Sequence, residues 1–168
     1  MGCQSEPNIT VYKIEKNKSL INKISKKNES AQLRWVTPNN WVSKEAKDFR
    51  IASFNAPSTI GEIMDISVSI FPGDAGGIKQ NVNRWRSQLN LPPQDINLIL
   101  QHATKKSNML GEYFIFNLTN KTEQKSILAV IIPDKEKTIF VKMPGSSLSV
   151  SELEYEFDLF CKSLHWNN

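Results

Sequence analysis

The chain has 168 residues, of which 39% are hydrophobic and 9% aromatic, which is enough apolar material for one buried core and excludes a chain disordered throughout. Its two cysteines and two histidines lack the spacing of a zinc site, and no apolar run approaches the roughly 20 residues that cross a bilayer. Residues 1–30 hold six lysines and three glutamates and so carry most of the net charge of +4. The remainder is nearly neutral, so we expect no nucleic-acid partner. We also expect no metal and no cofactor.

The first residues predict a lipid anchor. Gly2-Cys3 is how a bacterial lipobox ends, and there the cysteine thiol is alkylated with diacylglycerol. A competing interpretation is myristoylation of Gly2 with palmitoylation of Cys3, although Glu6 stands where that motif has Ser or Thr. In a third interpretation, Cys3 is an unmodified thiol. The first two interpretations both make residues 1–31 a lipid-anchored flexible leader ahead of a single domain, residues 32–168. The lipobox interpretation places this domain at the cell envelope, on the periplasmic or extracellular face.

From residue 32 onward, short apolar runs separated by turn residues indicate an ordered domain. The clearest strand lies in residues 62–71, where Met64, Ile66 and Val68 alternate with polar residues and predict one buried and one wetter face. The strand following residue 125 is apolar on both faces, so it is expected at the centre of an antiparallel meander. The predicted strands are residues 33–37, 49–54, 62–71, 112–119, 126–132 and 138–143.

Two main helices are predicted, with a shorter one over residues 94–103. The first carries an apolar stripe of Ile78, Val82, Trp85 and Leu89 and stops before Pro92. In the last, a capping box of Ser149 and Glu152 precedes an apolar stripe formed by Leu153, Phe157, Phe160, Cys161 and Leu164. The fold class is therefore α+β, an antiparallel sheet of about six strands covered by two main helices.

A glycine loop, residues 73–77, joins a strand to the first main helix. Such a loop can present backbone N–H groups to an anion at the positive end of a helix. Neither a Walker A nor a dinucleotide motif is present, and a tight turn in which Asp74 caps local N–H groups is the favoured interpretation. The candidate ligand-binding residues here are Gly73, Asp74, Gly76 and Gly77.

Three polar residues on the following helix share one side next to the apolar stripe, at spacings of three and four. They can act as a polar shelf that donates hydrogen bonds to a carboxylate or another acidic partner, with Arg84 as the strongest donor. Structural hydrogen bonds that fix the helix to loops explain the pattern equally well. The three residues are Asn81, Arg84 and Gln88.

The loop Gly73-Asp74-Ala75-Gly76-Gly77 followed by Asn81-Val82-Asn83-Arg84-Trp85-Arg86 resembles a group of bacterial exported proteins, many of them predicted lipoproteins. More loosely, the Trp41 region, the antiparallel strands and the closing helix are similar to the PsbP-like α/β/α sandwich. This resemblance implies a non-enzymatic binding or assembly role and carries over no catalytic residues.

Together these features predict a membrane-anchored extracytoplasmic domain that binds a protein partner, with the glycine loop and the polar shelf as its docking surface. One alternative is an anion-binding enzyme centred on the same loop, with Asp74 and Arg84 lining a closed pocket. The other is a soluble intracellular adaptor, which applies if Cys3 is never lipidated.

Overall fold

Residues 31–167 are described in a computed structural model, and a seven-stranded antiparallel sheet runs through them. The sheet has the strand order β2-β3-β4-β8-β7-β6-β5, and β1 pairs with β9 in a separate ribbon. The strands are β1 Leu33–Arg34, β2 Val42–Lys44, β3 Arg50–Pro57, β4 Ile63–Pro72, β5 Thr104–Asn108, β6 Gly111–Asn120, β7 Lys125–Asp134, β8 Lys137–Ser146 and β9 His165–Trp166. The helices are α1 Gly77–Gln88, α2 Ile96–Gln101 and α3 Ser147–Ser163.

The sheet lies between helices on both of its faces, so the fold is an α/β/α sandwich. On one face, α3 buries Leu153, Phe157 and Phe160 against apolar residues of β3, β4, β7 and β8. On the other, α1 and α2 pack on β6, β7 and β8 with Trp85 and Ile99 in the core. The α+β class and the two main helices are confirmed, because the apolar stripes of both helices lie on the sheet as their periodicity predicts.

The sheet has seven strands rather than the six expected. The strand predicted over residues 33–37 is reduced to β1, which pairs with β9 outside the main sheet. The sheet gains β2 and β5 instead, and these form its two edges. Both strands are short and solvent-exposed, so neither shows the apolar alternation by which strands are recognised in sequence.

The capping box predicted for the last helix is wrong. α3 begins three residues earlier, with Ser146 as its N-cap, and the Ser146 hydroxyl accepts a hydrogen bond from the backbone N–H of Ser149 at 3.2 Å. Glu152 lies within the helix, and its carboxylate accepts hydrogen bonds from the Thr59 N–H and hydroxyl at 2.8 and 2.9 Å. The backbone N–H of Ser146 is itself bound by Glu62, at 3.1 Å, which fixes the chain where β8 ends and the helix starts.

A cluster of aromatic rings packs against Phe160 of α3. Trp41 and Phe54 lie 5.1 and 5.4 Å from Phe160, measured between ring centroids, and Trp35 lies 6.1 Å from it. Trp41 is buried, and its indole N–H donates to a carboxylate oxygen of Glu156 at 3.1 Å. Trp41 therefore belongs to the core beneath α3, and Trp85, as the apolar stripe of α1 predicts, belongs to the core on the other face of the sheet.

The predicted lipidation site, Cys3, lies outside the described residues. The described chain from Leu33 onward forms one compact unit. None of the helices described in residues 31–167 has the length and apolar character needed to cross a membrane.

Candidate functional site

The glycine loop is a turn held by its own hydrogen bonds. Ala75, Gly76 and Gly77 all have positive φ, and the N–H groups of Gly76 and Gly77 donate to the Asp74 carboxylate at 3.1 Å and to its carbonyl at 2.8 Å. At its start, the Gly73 N–H donates to the carbonyl of Glu136 at 2.7 Å. Three N–H groups that an anion would require are therefore already used, one of them by the Asp74 carboxylate. Anion binding by this loop stays a prediction, and both Asp74 and Gly76 are solvent-exposed.

Asn81 links the loop to Arg84. Its side chain is 2% exposed, and its amide group donates to the carbonyls of Ala75 and Gly77 at 2.9 and 2.7 Å. Its amide oxygen accepts a hydrogen bond from the guanidinium of Arg84. Because the Asn81 amide bonds on both sides within the fold, this residue holds the loop and Arg84 in place, whereas Arg84 itself remains exposed to solvent.

Helix α1 covers only part of its face of the sheet. The core beneath α1 and α2 contains no residue of β2 or β3, and there the strands carry mainly polar side chains. We call this region, together with the adjacent flank of α1, the open face. Its polar residues are Lys44, Arg50, Ser53, Asn55, Asp65, Ser67, Ser69 and Lys142 on the strands and Arg84 and Gln88 on the helix.

One carboxylate, Asp65, organises two of the cations of the open face. Arg50 forms a bidentate pair with Asp65, with N–O distances of 3.0 and 2.9 Å, and the ammonium of Lys44 lies 2.7 Å from the same carboxylate. Partial burial raises the pKa of Asp65, but the hydrogen bonds and charges of Arg50 and Lys44 outweigh this effect and hold it below its ordinary value. The Arg50 guanidinium also donates to Ser53, at 3.3 Å, so its plane is fixed against the sheet.

Lys142 connects the strands of the open face to the helix. It lies on β8 opposite Ser67, and its ammonium donates to the side-chain oxygen of Gln88. Burial lowers the pKa of Lys142, and the neighbouring charges of Arg84 and Arg50 lower it further, against the opposing effect of Asp65. Cations from β3, β8 and α1 therefore act on one another across the open face.

The open face carries four cationic side chains against one carboxylate. Its unbalanced positive charge, its fixed guanidinium groups and its row of serine and asparagine side chains suit the recognition of carboxylates by charge-assisted hydrogen bonds. Within residues 31–167 no group of His, Cys, Asp and Glu is arranged to hold a metal ion. Cys161 lies on the buried side of α3, in the core on the opposite face of the sheet, and its thiol is therefore remote from the open face.

A cavity of about 600 Å³ adjoins the open face beyond the end of α1. Gln88 and Lys142 line it on the side of the open face, and the buried side chains of Leu89 and Ile127 also line it. The Glu62 carboxylate in its wall accepts hydrogen bonds from Ser146, which lower its pKa. The polar surface thus continues past the helix into a concave region.

Two of the three shelf residues, Arg84 and Gln88, lie on the open face beside partners that the sequence did not predict. The third, Asn81, is buried and accepts a hydrogen bond from Arg84. Lys44 and Arg50 lie on the consecutive strands β2 and β3, and Lys142 comes from β8, far along the chain. A signal existed for part of this set, since the wetter side of β4 contains Asp65, Ser67 and Ser69. No local pattern marked these cations as one set, because β8, which carries Lys142, lies beside β4 only in the folded sheet.

No protein-family model matches the sequence. No curated protein matches it either. Solved structures do show similar folds. One is LpqN of Mycobacterium tuberculosis, which is involved in cell envelope biogenesis. The match covers 84% of this chain and 88% of the LpqN chain at 9% sequence identity, with a TM-score of 0.51. The chain has the fold of LpqN.

Two further structures are similar at lower scores. Cyanobacterial PsbP (CyanoP) from Synechocystis matches 84% of this chain and 96% of its own at 16% identity, with a TM-score of 0.47. A protein of Bacteroides thetaiotaomicron matches 81% of this chain at 12% identity, with a TM-score of 0.45, and the match spans 45% of that protein.

Proposed function

We propose that this chain is a membrane-anchored lipoprotein domain of the cell envelope with a non-catalytic binding or assembly role. The observation that carries the binding role is the cationic open face, where exposed Arg84 and Gln88 stand beside Lys142 and the Arg50–Asp65 pair. Such a surface holds a partner through many separate hydrogen bonds and charges.

The chemistry of the open face favours binding over catalysis. Its titratable groups are lysine, arginine and a carboxylate already engaged by two cations, which leaves Asp65 poorly suited to accept a proton. Asp74 and Arg84, the pair required by the enzyme hypothesis, are both exposed to solvent, whereas that hypothesis requires them to line a closed pocket. A docking role requires only that Arg84 be accessible and positioned, and its bond to Asn81 positions it.

The location rests on Gly2-Cys3 and on the envelope role of a protein with the same fold. In its lipidated form, Cys3 would tether the domain to a membrane through two or more acyl chains, which gives stable attachment where one chain does not. LpqN is involved in cell envelope biogenesis, and an envelope location for this chain agrees with that role.

Intact mass spectrometry of the gene product purified from its own host tests the anchor. We expect the mass of a chain cleaved or processed before Cys3 and increased by acyl groups, and a Cys3→Ser variant that leaves the membrane fraction. A full-length product with an unmodified Cys3 in the cytosol would overturn the anchor and favour the intracellular adaptor.

Photo-crosslinking in the same host tests the binding role. A photoreactive amino acid at Gln88 is expected to give discrete crosslinked species, and Arg84→Ala should weaken them while leaving the melting temperature close to that of the parent. The matched control is the same amino acid at Lys79, which lies on the opposite flank of α1. Equal crosslinking from Gln88 and Lys79 would remove the open face from the binding role.

A further inference from the structure

The open face has apolar margins as well as a cationic centre. At one end, Val42 and Ile63 are each 65% exposed, and the sheet register places them opposite Asn55 and Pro57, on the side of Asp65. Neither side chain belongs to the cores that the described helices cover. The two side chains end the polar rows of β2, β3 and β4 with a small apolar patch.

The other margin is aromatic. Phe49 is 77% exposed, and its ring lies 6.0 Å from that of Phe71, which in turn lies 5.8 Å from the ring of Phe140 in the core beneath α1. A β-bulge at Arg50 and Ile51 sets the local register against β4, and Ile51 is 44% exposed. An aromatic core thus emerges at the surface next to the guanidinium of Arg50.

Single exposed apolar side chains are ordinary on protein surfaces. Here four of them flank one group of cations on one side of a sheet, and an arginine lies between the two margins. Arginine and aromatic side chains with a surrounding of polar groups are typical of the energetically important part of protein–protein interfaces.

We propose that the open face binds an acidic segment of a partner protein whose carboxylates meet Arg84 and Lys142 and whose apolar side chains pack on Phe49 and Ile51. The proposal rests on the binding role proposed above and names the chemistry of the partner. Asp65 already offsets part of the charge of Arg50 and Lys44, so Arg84 and Lys142 are the cations with the least compensation.

Charge complementarity favours a foreign acidic segment over two other occupants. A second copy of the chain would place one cationic centre against another, which costs binding free energy. Residues 1–30 of the chain carry six lysines against three glutamates, so their net charge has the same sign as that of the open face and does not complement it. An acidic partner complements this charge and covers the apolar margins at the same time.

Selection from a random library of displayed twelve-residue peptides tests the proposal on the full 168-residue chain. Peptides are selected on the wild-type protein and counter-selected on Arg84→Glu, and the dissociation constants of the survivors are measured at low and high salt. We expect peptides with net negative charge and at least one aromatic or branched aliphatic residue, bound more weakly as salt screens the charges.

Matched variants locate the binding. Arg84→Glu and Phe49→Ser should each weaken the selected peptides by about tenfold or more, because the first reverses a charge that meets the peptide carboxylates and the second removes a ring on which the peptide's apolar side chains pack. Lys79→Glu makes the same change of charge on the far flank of α1, and Met109→Ser makes the same loss of an exposed apolar side chain on the β5–β6 turn; both should leave the dissociation constant within about twofold.

Three results would overturn the inference. The first is a selection that yields no peptide distinguishing wild type from Arg84→Glu, and the second is a set of peptides that are neutral or basic. The third is binding of wild type to phosphatidylglycerol–phosphatidylcholine vesicles that is lost in Arg84→Glu while acidic peptides do not compete, which would assign the face to a lipid surface. If Gln88 crosslinks a partner in the host through a segment that is not acidic, the proposed function stands and only this inference fails.

Discussion

Replacing Asn81 with alanine distinguishes a residue that holds the fold from one that holds a partner. The Asn81 amide is buried and donates two hydrogen bonds, to Ala75 and Gly77, and accepts one from Arg84. A typical hydrogen bond contributes about 1 kcal/mol net, and loss of a buried polar side chain adds some packing, so we expect Asn81→Ala to lower the free energy of unfolding by about 2–3 kcal/mol.

Urea unfolding followed by tryptophan fluorescence measures this change, and two variants on the same helix serve as comparisons. Gln88→Ala, at an exposed position, should remain within about 0.5 kcal/mol of wild type. Arg84→Ala removes the guanidinium donor of the Asn81 oxygen, but because Arg84 is exposed, water can replace this hydrogen bond, and the cost should be about 1 kcal/mol. If Asn81→Ala were as stable as Gln88→Ala, the hydrogen bonds would not hold the loop. If Arg84→Ala were as damaging as Asn81→Ala, Arg84 would be structural and the docking role would lose its main residue.

Three other changes have outcomes fixed by the structure. Phe160→Ala removes a fully buried ring from the aromatic end of the α3 core and should cost about 3–5 kcal/mol in urea unfolding; a cost under about 1 kcal/mol would contradict that packing. Folding lowers the pKa of Asp65, so the ionised carboxylate stabilises the protein fully above its unfolded pKa, and this stabilisation is lost as the pH falls through the folded pKa. The free energy of unfolding should therefore fall less between about pH 7 and about pH 3 in Asp65→Asn than in the wild type. An equal fall in both proteins would refute the stabilising role of the Asp65 carboxylate. Burial, with the nearby charge of Asp158, raises the pKa of the Cys161 thiol. In a Cys3→Ser background, the native protein should therefore not react with a disulfide reagent at neutral pH until urea unfolds it. Rapid labelling of the native state would show that the core beneath α3 is open to solvent.

The sequence predicted the elements whose side chains repeat with a clear period. The alternation along β4 and the stripe of α1 each state which side is buried, because burial of an apolar face requires that spacing along one element. The apolar run of β7 likewise indicated a strand covered on both faces, and β7 lies between β6 and β8. For these elements the packing partner did not need to be known.

The start of the last helix was harder to predict. Ser149 and Glu152 have the spacing of a capping box, and this spacing predicted the helix start at Ser149. The structure has Ser146 as the N-cap, and there Glu62, the residue before β4, accepts a hydrogen bond from the Ser146 N–H. The carboxylate of Glu152 is used instead by Thr59, a residue of a distant loop.

The sequence by itself determined the α+β class, the helices that cover the sheet, the central strand and the polar character of Arg84 and Gln88. Only the tertiary structure decided that α1 stops short of β2 and β3, and that Lys44, Arg50 and Lys142 meet on the surface it leaves open. The reason is physical: periodicity is a property of neighbours along the chain, whereas the charge of a sheet surface depends on strands brought side by side from opposite ends of the domain.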